Sequence, residues 1–430
     1  MKFDFVTEDR KEMTEAFQRA IDLAAERKEQ LIIAPGEYVT GTLRIRPGSD
    51  IYLSEGAVII GSENVEDYSA DITPFVDAVG VERGRALIYA ENADGAVLSG
   101  PGVIDGRGKL HQHANRPFLM RIVGGKNITV RDIEVRDSAA WTIHLFETDD
   151  VLIENVTIRS RVNANNDGID IDSCNHITIR GCDISSGDDG ICIKSTTHRT
   201  CSNIIAEDCR ISSEWAGIKL GTESIGDFEN ITFRNCEIYD TEGCGIKVVP
   251  VDGANLKKLA IENIIMKNTT GPIFISLGSR LRTYFKGDIP RELGSITDIS
   301  IRNIKADVVD AAGRPMQGND YYITYDGMWG RAGGCIVING LPERKVENIL
   351  LENLDLKMPG GVERYDREDD DIIEMEKQYP EFSVFGALPA SVAFLRHVKN
   401  VTIKNIAYQL KREDVRPAFR MIDAQESVIR

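Results

Sequence analysis

The chain has 430 residues, 42% of them hydrophobic, and 51 Lys and Arg against 68 Asp and Glu give a net charge of −17. That is enough apolar material for a large core, and the excess of acid excludes a general nucleic-acid or anionic-membrane partner, because both need a basic surface. No apolar run is long enough for a transmembrane helix. The opening residues lack a signal peptide's apolar core, so the expected location is cytoplasmic, or secreted if a leader has been removed.

Residues 12–26 place Met13, Ala16, Phe17, Ala20, Ile21 and Ala24 at helical spacing. This predicts an amphipathic helix that covers one end of a β-rich body. The segment 1–30 is thus an N-terminal cap. Short β-type runs come next at 31–33, 42–45, 51–53 and 57–60, each closed by Gly, Pro, Ser or Asp.

From residue 128 one apolar quartet recurs nine times: Ile128/Val130/Ile133/Val135, then quartets beginning at Val151, Ile177, Ile204, Ile231, Leu259, Ile299, Ile349 and Val401. Their starts are separated by 23, 26, 27, 27, 28, 40, 50 and 52 residues, so the unit stays constant while the connection grows. Each quartet predicts two short strands meeting at a corner, with alternate side chains turned inward. One such unit cannot bury its own apolar face, whereas neighbours stacked at roughly 4.8 Å share a core. The predicted fold is all-β, a single-stranded parallel β-helix over 1–430 as one domain, with long loop insertions at 267–298, 307–348 and 357–400. A leucine-rich repeat would need a Leu consensus and helices between strands, and a β-propeller four antiparallel strands per period. Neither suits the short early repeats.

The insertions carry Arg280, Arg282, Tyr284, Tyr321, Tyr322, Tyr325, Trp329, Arg331 and Tyr365. Aromatic and basic groups together suit a carbohydrate bearing carboxylates, although such aromatics also serve to pack loops onto a scaffold. The eight cysteines include no C-x-x-C pair, and Cys182, Cys209 and Cys236 recur every 27 residues, so they are expected to form a stack of buried thiols.

Between Asn165 and Val249 a second repeat marks the candidate site. Gly-Ile pairs begin at Gly168, Gly190, Gly217 and Gly245. If Ile169/Ile171, Ile191/Ile193, Ile218/Leu220 and Ile246/Val248 point inward, then His144, Asp170, Cys192, Lys219 and Lys247 form one outward column. Phe146, Asp172, Lys194, Gly221 and Val249 form a second. Trp141, Asp167, Asp189, Ala216 and Cys244 occupy equivalent places before the strand, which makes Asp167 and Asp189 neighbours, with Asp188 beside them. Converging carboxylates provide what glycoside hydrolysis requires, a protonated acid for the leaving oxygen and an ionised base for water. Two other readings compete. Asp-Gly and Asn-Asp are common turn formers, and acidic clusters in β-helical repeats bind calcium, although the G-G-x-G-x-D array is missing.

At Asn165-Asn166-Asp167-Gly168 and Asp188-Asp189 the chain resembles glycoside hydrolase family 28, the polygalacturonase and rhamnogalacturonan hydrolase family, through its N-x-D and D-D motifs. Ser99–Gly108 is similar to that family's G-x-G-x-I-D-G segment, and Asp137–His144 and the opening helix and strands add to the likeness. The resemblance implies a right-handed β-helix and single displacement with inversion, with Asp188 as general acid and Asp167 and Asp189 activating water. Asn165 would hold substrate or orient the site, and no metal or cofactor is needed.

Two departures mark a divergent member. The G-H-G motif falls on Trp215-Ala216-Gly217, without its histidine. R-x-K falls on Lys247-Val248-Val249, or, with a shift of two residues, on Gly245 and Lys247. An Arg-to-Lys exchange loses a bidentate fork, so the substrate-reading part is expected to differ from that of ordinary polygalacturonases. The substrate-binding candidates are Asn165, His144, Asp170, Lys194, Lys219, Lys247 and Arg280. The expected function is inverting, exo-acting hydrolysis of pectic or related oligosaccharides. A lyase acting on uronate chains and a non-catalytic carbohydrate-binding β-helix are the alternatives.

Overall fold

The structure, a computed structural model, describes residues 1–73, 75–76, 82–111, 116–310 and 334–430. The fold is a right-handed parallel β-helix. By its contacts the chain divides into two compact units, one of Met1–Ile191 with Ile204–Cys209, the other of 192–203, 210–310 and 334–430.

The first unit opens on the helix Arg10–Arg27. Asp9 caps it, its carboxylate accepting from Lys11 N at 2.9 Å and Glu12 N at 3.0 Å. Met13, Phe17, Ile21 and Ala24 are buried, and Phe17 stacks on Phe3 with ring centroids 4.6 Å apart. Ala16 and Ala20, on the same predicted stripe, lie at its half-buried edge. Three ladders of parallel strands come after it. One joins Gln30–Ile33, Asp50–Leu53, Val97–Ser99, Lys126–Arg131, Asp149–Glu154 and Asn175–Arg180. The second runs from Gly36–Thr40 to Asp183–Ser186. The third, through Leu43–Ile45, Ala86–Glu91, Phe118–Val123, Ile143–Phe146 and Ile169–Asp172, carries the candidate site.

In the second unit the two halves of each quartet merge into long strands, Phe228–Thr241, Asn255–Thr269, Ser295–Val308, Val346–Met358 and Ala393–Leu410, paired in parallel with one register shift between Lys267 and Thr269. The site-bearing ladder there is Ala216–Ser224, Cys244–Pro250, Ile273–Ser276, Ile336–Asn339 and Ala393–Leu410. The stretches expected as insertions therefore contain regular strands. Ile273–Ser276 and Ile336–Asn339 are short and buried throughout, so no alternation announces them. Tyr321, Tyr322, Tyr325, Trp329 and Arg331 lie outside the described residues.

The quartet side chains are buried as their alternation requires, each Val, Leu, Ile, Phe or Met contributing roughly 1.5–3 kcal/mol. The last quartet departs from this: Val401 and Ile403 are buried, but Tyr408 is 44% exposed, because only the two residues Val428–Ile429 cover that turn. The bend inside each quartet has its own residue type. Asp132, Asn155, Gly181, Asp208, Asn235, Asn263, Asn303, Asn353 and Asn405 all have positive φ, between 52° and 63°. Asn, Asp and Gly tolerate that left-handed geometry at least cost. In the second unit the amides also form a ladder, each donating to the preceding carbonyl oxygen. Asn263 donates to Asn235 at 2.9 Å, Asn303 to Asn263 at 2.9 Å, Asn353 to Asn303 at 2.9 Å and Asn405 to Asn353 at 3.1 Å. All eight cysteines are buried, and among the described residues no helix is long and apolar enough to cross a membrane.

Candidate active site

The phasing of the Gly-Ile columns holds within each unit. His144 pairs with Asp170 and Phe146 with Asp172 in the first. Ala216 pairs with Cys244, Lys219 with Lys247 and Gly221 with Val249 in the second. The inward residues Ile169, Ile171, Ile218, Leu220, Ile246 and Val248 are completely buried.

In the first unit the acidic turn is assembled around Asn166, a residue to which sequence reasoning assigned no task. Its carbonyl oxygen Oδ1 accepts from Val162 N at 3.0 Å and Asn163 N at 2.7 Å, while Nδ2 donates to Ser138 O at 2.8 Å and Ala140 O at 2.9 Å. A buried amide with all four bonds made fixes both the loop that carries it and the preceding turn. The backbone carbonyl of Asn166 also accepts from Gly187 N at 3.1 Å and Asp188 N at 3.3 Å, which ties the two acidic segments together. Gly108, from the Gly-rich segment, packs against the same region: a Cβ there would lie 2.0 Å from Ser138 O.

Asp167 and Asp189 are 2% and 1% exposed, and their carboxylates bring oxygens within 4.8 Å of each other. At that separation one water can hydrogen-bond to both, so the pair is suited to holding and deprotonating a nucleophile. Asp188 is half-buried. Its Oδ1 accepts from Asp189 N at 2.9 Å, and its carbonyl from Ser186 Oγ at 2.8 Å, so its orientation is set by the chain that also carries Asp189. The structure therefore brings Asp167 on one turn against Asp188 and Asp189 on the next and leaves Asp188 the most accessible of the three.

Asn165, next but one to Asp167, has φ 55°. Its Oδ1 accepts from Arg116 Nη2 at 2.9 Å and Arg83 Nη2 at 3.3 Å. Arg116 also donates to Ala139 O at 3.0 Å and to Ala164 O. These two arginines come from distant segments, and nothing in the repeat pattern pointed to them. His144 and Asp170 face away from the helical core as predicted but are completely buried. His144 sits among Phe118, Trp141 and Phe146, with ring centroids at 5.4, 5.0 and 6.0 Å, and its Nε2 is 3.8 Å from Asp172 Oδ2.

The second unit holds the basic candidates, also buried. Lys194 Nζ lies 3.6 Å from Glu223 Oε1. Burial alone would raise the Glu223 carboxyl, but Lys194, then Lys219 and Arg280, outweigh it and bring it down to about 2. Arg280 grips Asp252 with Nε at 2.8 Å and Nη2 at 2.5 Å, and Tyr284 OH donates to the same carboxylate at 2.6 Å. Its guanidinium is thus committed to anchoring its own loop, and burial pushes the Tyr284 hydroxyl well above its usual value. Lys219 Nζ donates to Tyr379 OH at 3.1 Å, and Lys247 Nζ is paired with Glu381 Oε1. Position 216, where the family has histidine, is a buried alanine.

A parallel β-helix with an accessible acid beside a close carboxylate pair is an arrangement suited to hydrolysing glycosidic bonds, and the class it defines is the glycosidases. The model of the glycosyl hydrolases family 28 matches residues 75–320, more than half of the chain, and the chain belongs to that family. A probable polygalacturonase of Vitis vinifera is 26% identical over 334 residues, spanning 70% of this chain and 67% of that protein. Among solved structures, an exopolygalacturonase from Thermotoga maritima superposes with a TM-score of 0.62 at 20% identity, covering 80% of this chain and 83% of the other. A family 28 exopolygalacturonase from Yersinia enterocolitica gives 0.67 at 16% identity, covering 96% and 75%. The protein is a polygalacturonase-family glycosidase.

Proposed function

We propose that the enzyme hydrolyses pectic or related oligosaccharides with inversion, releasing sugar from chain ends. The observation that carries this is the close, buried pair Asp167 and Asp189 beside the half-exposed Asp188. Asp188 protonates the glycosidic oxygen as the bond breaks. Asp167 and Asp189 take a proton from the water that attacks the opposite face of the sugar, which inverts the anomeric centre. Asn165, held by Arg83 and Arg116, presents a fixed polar edge to the sugar next to the acid. Lys219 and Lys247 serve sugar recognition in the second unit.

Exo action is supported by residues 371–385, which lap over the outward side of the strands Cys244–Pro250 and Ile273–Ser276, and by the two exopolygalacturonases that share the fold. Incubation with oligogalacturonides and rhamnogalacturonan oligosaccharides, followed by proton NMR of the first product formed, tests the reading. The expected product is a monosaccharide or short end fragment of inverted configuration, and Asp188→Asn should lower kcat by about 10³-fold with the fold intact. A first product of retained configuration, an unsaturated product, or an Asp188→Asn variant near wild-type activity would each overturn it.

A further inference from the structure

In the second unit the outward column changes character after Lys247. Its next members are Phe274, Val337 and Phe394. A strap of residues 371–385 lies across this column. Arg367 ties both its ends, donating to Asp371 O at 2.6 Å and Phe385 O at 2.7 Å. Arg396 holds its beginning through Ile372 O at 2.9 Å and Ile373 O at 2.7 Å. Phe382 packs edge-on to Phe274 at 4.7 Å, and a Cβ on Gly271 would meet its ring at 2.3 Å. The strap is thus fastened at both ends and seated in its middle.

Between those anchors it places two polar side chains on the two lysines. Tyr379 accepts from Lys219, and its ring lies 5.7 Å from both Lys219 Nζ and Lys247 Nζ. Glu381, 7% exposed, is ion-paired with Lys247, 1% exposed. A buried ammonium whose charge is already matched gives little further attraction to a carboxylate, and a second carboxylate beside Glu381 would meet like-charge repulsion in a poorly solvated place.

We infer that Glu381 determines sugar selectivity: its carboxylate takes the place a uronate carboxylate would fill at Lys247, so the sugar accepted beside this lysine is a neutral one. This rests on the proposed sugar-binding role of Lys247 and specifies the substrate class there.

The test is calorimetric binding of galacturonate and of galactose to the full chain, which reads no hydrolysis and so stands or falls separately from the catalytic reading. Glu381→Gln keeps the size of the side chain and removes its charge. It should raise the affinity for galacturonate at least tenfold over wild type and leave galactose unchanged. The double variant Lys247→Met/Glu381→Met, which removes both charges, should show no such gain. A galacturonate-to-galactose ratio unchanged in Glu381→Gln, including no measurable galacturonate binding, overturns the inference. So does an equal gain in the double variant, since a loosened strap rather than an unmasked Lys247 would then be responsible.

Discussion

Glu223 shows how one side chain can set the charge balance of a buried region. It lies among Lys194, Lys219 and Arg280, which hold its carboxyl at about 2 instead of the ordinary 4.5. A carboxyl lowered in the folded state contributes stability that is fully present above about pH 4.5 and is lost as pH falls towards about 2. Removing it takes away the negative charge that faces Lys194 and Lys219, whereas Arg280 keeps Asp252. Glu223→Gln should therefore cost about 3 kcal/mol in urea unfolding at neutral pH, and the variant should lose less stability than wild type on acidification through that window. Equal acid sensitivity in both proteins would show that Glu223 does not carry the effect. Sequence distance explains which such residues could be foreseen. Asp167 on one repeat and Asp188 and Asp189 on the next carry recognisable motifs, so they were legible. Arg83, Arg116, Tyr379 and Glu381 reach their partners from segments 49 to 160 positions away, a relation no periodicity encodes.

At the scale of elements, the strands follow from alternation and the corners from a small set of residues that accept left-handed backbone. The asparagine ladder adds a second role to the corner. Asn303, in its middle, both donates to Asn263 and receives from Asn353. Asn303→Ala should lose both bonds and strain the bend, about 2–3 kcal/mol in all, whereas Asn303→Gly should lose the bonds but relax the backbone and cost less. Equal losses, measured by urea unfolding, would mean that backbone geometry contributes nothing. The ladder was visible in principle: Asn, Asp or Gly stands at the same place in all nine quartets. The strands Ile273–Ser276 and Ile336–Asn339 were not, because four successive buried residues show no period.

At the scale of the whole molecule, a net charge of −17 acts on any charged substrate before contact. A polyanionic oligogalacturonide is repelled at low salt, and screening relieves this over a Debye length of about 10 Å at 0.1 M. The KM for such a substrate should fall as ionic strength rises from about 10 to about 150 mM, while that for a neutral-ended fragment stays level. A KM that rises with salt for the anionic substrate would show that local cations dominate the approach.

The asparagine ladder has one more consequence. Its hydrogen bonds stay 2.9–3.1 Å long although the chain between successive asparagines lengthens from 28 to 40, 50 and 52 residues. The spine thus keeps its spacing whatever the length of chain that leaves and rejoins it. Excursions such as the strap can be exchanged like cassettes, and a new substrate can be accommodated by rewriting a loop while every rung beneath it is kept.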